Sequence, residues 1–401
     1  MKSKIQRVFP VLQFDASYAQ LCRAALYCLF PPFDTTRANR EIRSGWLGDR
    51  EVFGCLSVRT GFDLFLQAAK LPKGSEVLVS GMTIRDMLSI VEHHGLVVVP
   101  VDLDIDTLDA PRKCWEAAIT PKTKAIMFTH LFGSHADTSV VASIAKDHKL
   151  LFLEDCAQAY AGYNYEGNPE ADVTMFSFGS IKTATAFGGG VLHIHTKALA
   201  ERMHNIMEAY PRQTRRQYAV RILRYMVLQP LAKPIPYGLL VFLCSILGID
   251  HDAIVRSSVR GFPPQELIRN IRHQPASPLL RMMAFKIRTY DMNRLWRRTE
   301  LGNSIAEQLP SQFSYAGRGL AAHSFWLFPL IADKPAQVQE HLRRDGIDAS
   351  ANGTTLVVAE GRSGKPPQLL ELSQHIMYIP LGPMARQDTA EKLLAGLRGK
   401  P

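Results

Sequence analysis

Residues 151 to 192 read LFLEDCAQAYAGYNYEGNPEADVTMFSFGSIKTATAFGGGVL. The apolar run Leu150 to Leu153 carries no charge, the pattern of a strand buried on both faces of a parallel sheet. That reading sets Asp155 at the carboxyl end of the strand, where open α/β sheets bind their ligands. Val173 to Phe178 reads as a second strand, with Lys182 just beyond it and the glycines Gly188, Gly189 and Gly190 after that. An acid and an amine at one edge of a sheet suit a cofactor that carries a ring nitrogen and an aldehyde.

Outward from this stretch the pattern is regular. Helices are expected at Thr60–Ala69, Thr83–His93, Pro111–Ile119 and Val140–His148, and strands at Glu76–Ser80, Leu96–Val101 and Lys124–His130. Strands alternating with short helices require crossover connections, which give a mostly parallel sheet. Further on, residues 280–310 read as one long helix. They are followed by a strand at Ser324–Ala332, a helix at Pro335–Asp345 ended by Gly346, a strand at Ile376–Ile379 and a last helix at Thr389–Leu397. The organisation expected is an N-terminal arm (1–53), a large domain (54–279) with an apolar and basic insertion at about 204–260, and a small C-terminal α/β domain (280–401). The arm reads as irregular up to residue 45, apart from a helix at Tyr18–Phe30 closed by Pro31-Pro32.

The chain has 401 residues, 46% hydrophobic and 21% charged, an ordinary balance for a globular protein with room for two cores. Its net charge of +10 favours anionic partners. The basic residues are dispersed and no nucleic-acid-binding signature appears, which argues against nucleic acid. None of the six cysteines forms a C-x-x-C pair, so neither a metal site nor a disulfide framework is read, and reduced thiols in the cytoplasm are expected. The first 20 residues lack the apolar core of a signal peptide.

The insertion contains a charge-free run, Ile235 to Ile249, of 15 residues. As a helix it would span roughly 22 Å, short of the ~30 Å hydrocarbon layer. With Pro236 and Gly238 inside it, a transmembrane span is disfavoured. Two readings stay open: a helix packed inward, or a surface hairpin dipping into an anionic membrane. Arg212, Arg215, Arg216, Arg221 and Arg224 just before the run favour the second.

Pyridoxal phosphate needs a lysine for a Schiff base, a carboxylate for its protonated ring nitrogen, a polar nest for its phosphate and a side chain against its ring. Alone, Lys182 would be a surface lysine and Asp155 a strand-terminal acid. The motifs around them decide otherwise. Glu154-Asp155-Cys156-Ala157-Gln158-Ala159, then Phe176-Ser177-Phe178-Gly179-Ser180-Ile181-Lys182, then Gly188-Gly189-Gly190, together resemble the DegT/DnrJ/StrS-type sugar aminotransferases, which are pyridoxal phosphate enzymes of fold type I. The segment Ala118 to Ile126 and the turn His130-Leu131-Phe132-Gly133 resemble the family as well, as do His341-Leu342 to Gly346-Ile347 and Tyr378 to Leu381.

The resemblance implies an α/β fold with a mixed, mostly parallel sheet between helices and a small C-terminal domain. It implies that Lys182 carries the cofactor and shuttles the proton, that Asp155 pairs with the ring nitrogen, and that Gln158 lies near the phenolic oxygen. Ser177, Thr60 and Gly61 would hold the phosphate, the last two at a helix start with free N–H groups. For Thr60 a plain N-cap is the alternative. The reaction implied moves an amino group, expected from glutamate, to a keto sugar or similar acceptor, in a homodimer. Three departures stand out: Arg59 where the family has glycine, Ile84 where it has an aromatic residue, and no match at Asn270 to Ser277 for its phosphate-binding asparagine. The apolar insertion also lengthens the stretch before that segment. Two alternatives follow from these departures. One is a lipid-linked keto acceptor met at the inner face of a membrane, and the other a degenerate binding or regulatory protein on the same fold. A related dehydration is disfavoured, because that chemistry typically has histidine in place of the lysine.

Overall fold

The apolar runs of the N-terminal half become strands with small shifts at their ends. The structure, a computed structural model, describes residues 7–398 apart from 11–12, 31–33, 164, 260–261, 263, 352–354 and 383–384, so the expected stop at Pro31-Pro32 lies outside the described residues. The strands are β1 (Glu51–Cys55), β2 (Glu76–Ser80), β3 (Met82–Ile84), β4 (Val97–Val101), β5 (Thr123–Thr129), β6 (Leu151–Asp155), β7 (Val173–Ser177) and β8 (Gly190–Ile194). Seven of them form one sheet in the order β1-β8-β7-β6-β5-β2-β4. The run from β4 to β7 is parallel, as helical crossovers require. β8 returns antiparallel to β7, and β1 closes that edge antiparallel to β8. The loop between β7 and β8 therefore stands at the carboxyl end of the parallel strands, and it holds Lys182.

Four further strands follow: β9 (Ser314–Tyr315), β10 (Phe328–Ile331), β11 (Leu356–Val358) and β12 (Ile376–Ile379). β12, β10 and β9 make an antiparallel sheet. Its apolar side chains share a core with the helices Met292–Glu307, Pro335–Arg344 and Gln387–Arg398. β11 pairs antiparallel with β3, Val357 opposite Thr83.

Several expectations are corrected. Thr83–His93 is not one helix: Met82–Ile84 is extended because β11 supplies its ladder, and the helix begins at Arg85. The long helix at 280–310 is two, Ser277–Arg288 and Met292–Glu307, and the Asp291 carboxylate caps the second by accepting from Asn293 N–H. Only Phe328–Ile331 of the expected strand Ser324–Ala332 is in a ladder. The chain before it crosses the 132–133 turn, where Ser324 and Leu327 donate to the Gly133 and Phe132 carbonyls. The arm is less irregular than expected: after the helix Tyr18–Leu29 comes a second, Thr35–Arg43, capped by Asp34 and packed on Ser277–Arg288.

The insertion folds as helices Arg215–Leu228, Pro234–Leu247 and His251–Val259, the first two bent by 90° with respect to each other. Tyr218, Ile222 and Tyr237 point into the main core, so part of the insertion packs inward. The Tyr237 hydroxyl donates to the buried carboxylate of Asp348, which Arg343 also holds at 3.0 Å. The other face is apolar and open: Val220, Leu223 and Val227 are 58%, 57% and 76% exposed, and Ile235, Ile246 and Leu247 are exposed on the next helix. Among the described residues no single helix is long and apolar enough to cross a membrane, although the bent pair Arg215–Ala232 and Pro234–Leu247 passes by length and composition together.

Candidate active site

Asp155 is the last residue of β6, flanked in the sheet by Thr129 of β5 and Met175 of β7. A strand buried on both faces leaves its terminal side chain facing the open edge, and Asp155 is 5% exposed there. One carboxylate oxygen accepts from Ala157 N–H at 2.9 Å. Burial pushes its pKa above the usual carboxylate value, and the Ala157 N–H and the charge of Lys182 oppose this.

Lys182 sits on the loop after β7. The loop is pinned from outside the sheet: Ala184, at φ 57, donates its N–H to the carboxylate of Asp15 in the N-terminal arm at 2.9 Å. The Lys182 Nζ lies 3.9 Å from the centre of the Trp326 ring. Burial lowers its pKa from 10.5 to about 7, with Asp155 opposing and the Arg59 guanidinium adding to the fall.

Gln158 is held by its Oε1, which accepts from Phe132 N–H at 2.8 Å. This leaves its amide NH2 to donate. Ser177 ends β7, and its hydroxyl oxygen accepts from Gly179 N–H at 3.3 Å. Gly189, at φ 93, is a place for glycine alone, because a Cβ there would stand 2.1 Å from the Met283 sulfur.

Asp155, Gln158, Ser177 and Lys182 line one cavity of about 680 Å3. Thr60 and Gly61 do not line it. The helix Val58–Ala69 is capped by Ser57, whose hydroxyl accepts from Thr60 N–H at 3.2 Å, so Thr60 is not the N-cap. The Thr60 hydroxyl donates to the Ile271 carbonyl at 2.9 Å, and Gly61 packs on Leu192. At this helix start the cavity wall is Ser57, Val58 and Arg59. Arg59 is paired with Asp86 at 2.6 Å, and Thr83 and Ile84 of β3 form the neighbouring wall.

Residues distant in sequence complete the cavity. Trp326 and Arg298 come from the C-terminal third, Asp15 from the arm, and Arg221 and Arg224 from the insertion. No spacing rule links these to the Lys182 motif. The one local signal is the aromatic run Phe325-Trp326 before β10. Thr83, Thr129 and Ser350 line the same cavity with buried hydroxyls that have no protein partner among the described residues. Buried polar groups left without protein partners are met by ordered water or by a polar ligand. A lysine that titrates near neutrality, a strand-end acid, orphan hydroxyls and an apolar wall at Ile84 fit pyridoxal phosphate.

The sheet order, its single antiparallel return and the site at the strand ends define the α/β fold of pyridoxal phosphate-dependent transferases of fold type I. The model of the DegT/DnrJ/EryC1/StrS aminotransferase family matches residues 40–225, and the recognition made from the motifs holds for this stretch. Members of this family use pyridoxal phosphate. The fold is similar to that of DesV from S. venezuelae, with a TM-score of 0.70 at 19% identity over 98% of each chain. NtdA from Bacillus subtilis, whose structure holds its cofactor PMP, gives 0.70 at 17% identity over 99% of this chain and 86% of that one. The sugar aminotransferase CalS13 from Micromonospora echinospora gives 0.68 at 18% identity, over 98% of this chain and 100% of that one.

Proposed function

We propose that the protein is a pyridoxal phosphate-dependent aminotransferase that moves an amino group from a donor amino acid, glutamate in the first instance, to a keto sugar or similar acceptor. The observation that carries this reading is the placement of Lys182 and Asp155 in one cavity, with the lysine pulled down to about 7. When bound, the cofactor supplies an aldehyde for amino groups and a ring that spreads the electrons released at the reacting carbon.

The side chains do the rest. Lys182 would hold the cofactor through its aldehyde, and its free amine would move a proton to and from the substrate carbon, which needs a pKa near the working pH. Asp155 would pair with the ring nitrogen and favour its charged form. Gln158 would serve the phenolic oxygen with its NH2. Ser177 would hold the phosphate with its hydroxyl, with Arg59 as the cation at the neighbouring helix start in place of Thr60 and Gly61. Trp326 excludes water from the amine. The proposed assembly is a homodimer, checked by light scattering.

The test is spectroscopic. Purified protein with added pyridoxal phosphate is expected to show a visible absorption band that Lys182→Ala lacks, and L-glutamate is expected to bleach it. A wild-type protein that stays colourless would sink the aminotransferase reading and leave a binding protein on the same fold.

A second reading concerns the acceptor. Arg221 and Arg224 line the cavity of Lys182, while Val220, Leu223 and Val227 on the same helix are open to solvent. Basic residues beside an exposed apolar face favour an anionic bilayer. An acceptor carried on a lipid phosphate would then reach the site from the membrane surface. Co-flotation with phosphatidylglycerol vesicles, but not with pure phosphatidylcholine vesicles, is expected. It should be lost in the double variant Leu223→Asp, Val227→Asp. A double variant that floats equally well, or that only loses its dimer, would count against this reading.

A further inference from the structure

Two residues of the loop that carries Lys182 stand in the left-handed region without being glycine, Ala184 at φ 57 and Phe187 at φ 61. That region is unfavourable for a residue with a Cβ, and such strain persists only where the surroundings hold it. At Phe187 the loop holds itself. Phe187 N–H donates to the Thr185 hydroxyl at 2.9 Å, and Ala186 and Gly188 donate to the Phe178 carbonyl at 3.0 and 3.1 Å. Ala184, two residues after the lysine, has its acceptor outside the loop, on the carboxylate of Asp15 in the arm.

Asp15 is itself fixed from two sides. Its other carboxylate oxygen is ion-paired with Arg294 at 2.6 Å, and Tyr290 and Arg298 also lie close. Its carbonyl accepts from Lys286 Nζ at 2.7 Å, and the same Nζ donates to Gln20 Oε1 at 3.2 Å. Lys286 is 2% exposed, and burial lowers its pKa from 10.5 to about 8. Burying an ammonium is costly unless it is hydrogen-bonded, and both of these acceptors belong to the arm. The next carbonyl, that of Ala16, accepts from Gln229 Nε2 at 2.9 Å. A carboxylate held this firmly can keep a strained backbone in place.

We infer that Asp15 is a positioning residue for Lys182: by accepting from Ala184 N–H, the arm holds the loop in its strained course and keeps the amine buried. The hydrogen bond, and not the charge of Asp15, carries the effect. Its use in catalysis rests on the aminotransferase reading, whereas the hold on the amine is measured without it.

Cofactor-free wild type, Asp15→Ala and the double variant Asp15→Asn, Arg294→Gln are treated with acetic anhydride, which reacts with the neutral amine, over a range of pH. The Lys182 peptide is followed by mass spectrometry. Asp155 and Arg59, whose charges act on Lys182, are the same in all three. The double variant has no charge at either position but keeps an amide oxygen for Ala184 N–H. Asp15→Ala is expected to raise the Lys182 midpoint by about one pH unit, about a tenfold loss of reactivity below the midpoint, because the loop relaxes and water reaches the amine. The double variant is expected to keep the wild-type midpoint.

An unchanged Lys182 midpoint in Asp15→Ala overturns the inference, even where urea denaturation shows a loss of stability, and leaves Asp15 as a tether of the arm. A double variant shifted as far as Asp15→Ala overturns it too, because charge would then be the cause. Lys286→Met, which removes the donor to the Asp15 carbonyl, is expected to shift the midpoint in the same direction. It stands in if Asp15→Ala does not fold, and no shift in it would then overturn the inference. A wild type that forms no visible band with pyridoxal phosphate sinks the aminotransferase reading alone, and the labelling decides on Asp15 independently.

Discussion

Trp326 is anchored to the residue before the lysine that it covers: its Nε1–H donates to the Ile181 carbonyl at 3.0 Å, and its ring centre lies 3.9 Å from Lys182 Nζ. The contact acts on the amine in two directions. A ring face favours the ammonium by about 0.5–2 kcal/mol, whereas the water that the ring displaces had favoured it more. The net shift of Lys182 is downward, with burial its largest cause. Trp326→Ala is therefore expected to raise the midpoint of the amine. The pH dependence of the rate at which pyridoxal phosphate attaches is the measurement, and an unchanged or lowered midpoint would contradict the argument.

The same lysine makes the cofactor-free fold depend on pH. Its folded value, about 7, lies below its unfolded value of 10.5. Between these the unfolded chain binds the extra proton, so stability rises as pH increases through the window. Lys182→Met removes this dependence. The difference in melting temperature between Lys182→Met and wild type, both without cofactor, is expected to favour the variant at pH 7 and to shrink toward pH 10. A constant difference would show that the amine is not desolvated.

Asp155 is proposed to hold charge on the cofactor ring and not to bind it alone. Asp155→Asn keeps the shape and the bond from Ala157 N–H but loses the charge. Removing one preorganised electrostatic partner costs on the order of 10²–10³ in rate. The variant is expected to load with cofactor and to turn over at least about a hundredfold more slowly in the half-reaction with L-glutamate, followed by stopped-flow absorbance.

Tyr237 ties the insertion to the C-terminal part of the chain through Asp348. Tyr237→Phe leaves a buried carboxylate with one donor fewer, a loss of about 1–3 kcal/mol. Urea denaturation should register it. If the insertion docked elsewhere, the variant would unfold like wild type.

Much of the main sheet was legible because strands buried on both faces are short apolar runs between polar breaks: Glu76–Ser80 agrees to the residue, as does Ile376–Ile379 of the smaller antiparallel sheet. The placement of Asp155 and Lys182 at one edge of the sheet was legible because both follow such runs. What was not legible depends on distant partners. Met82–Ile84 has a strand's shape only because Leu356–Val358 lies beside it, and three residues carry no periodicity of their own. Thr60 has the position of a phosphate ligand in sequence, but Ser57 takes the cap and Ile271 takes the hydroxyl. Arg298 looks like any arginine on an exposed helix until the fold brings it to Thr183.

The β3–β11 pair has a consequence for the order of events in making the protein. One wall of the cofactor cavity is a strand at 82–84 whose ladder is completed by 356–358, and Tyr378 to Gly382 line the same cavity. Closing so long a loop costs entropy that must be met before the contact forms. On the ribosome the lysine and the aspartate are made well before the residues that close this wall. A cavity with all its walls is therefore expected only once residues 356–382 have been made.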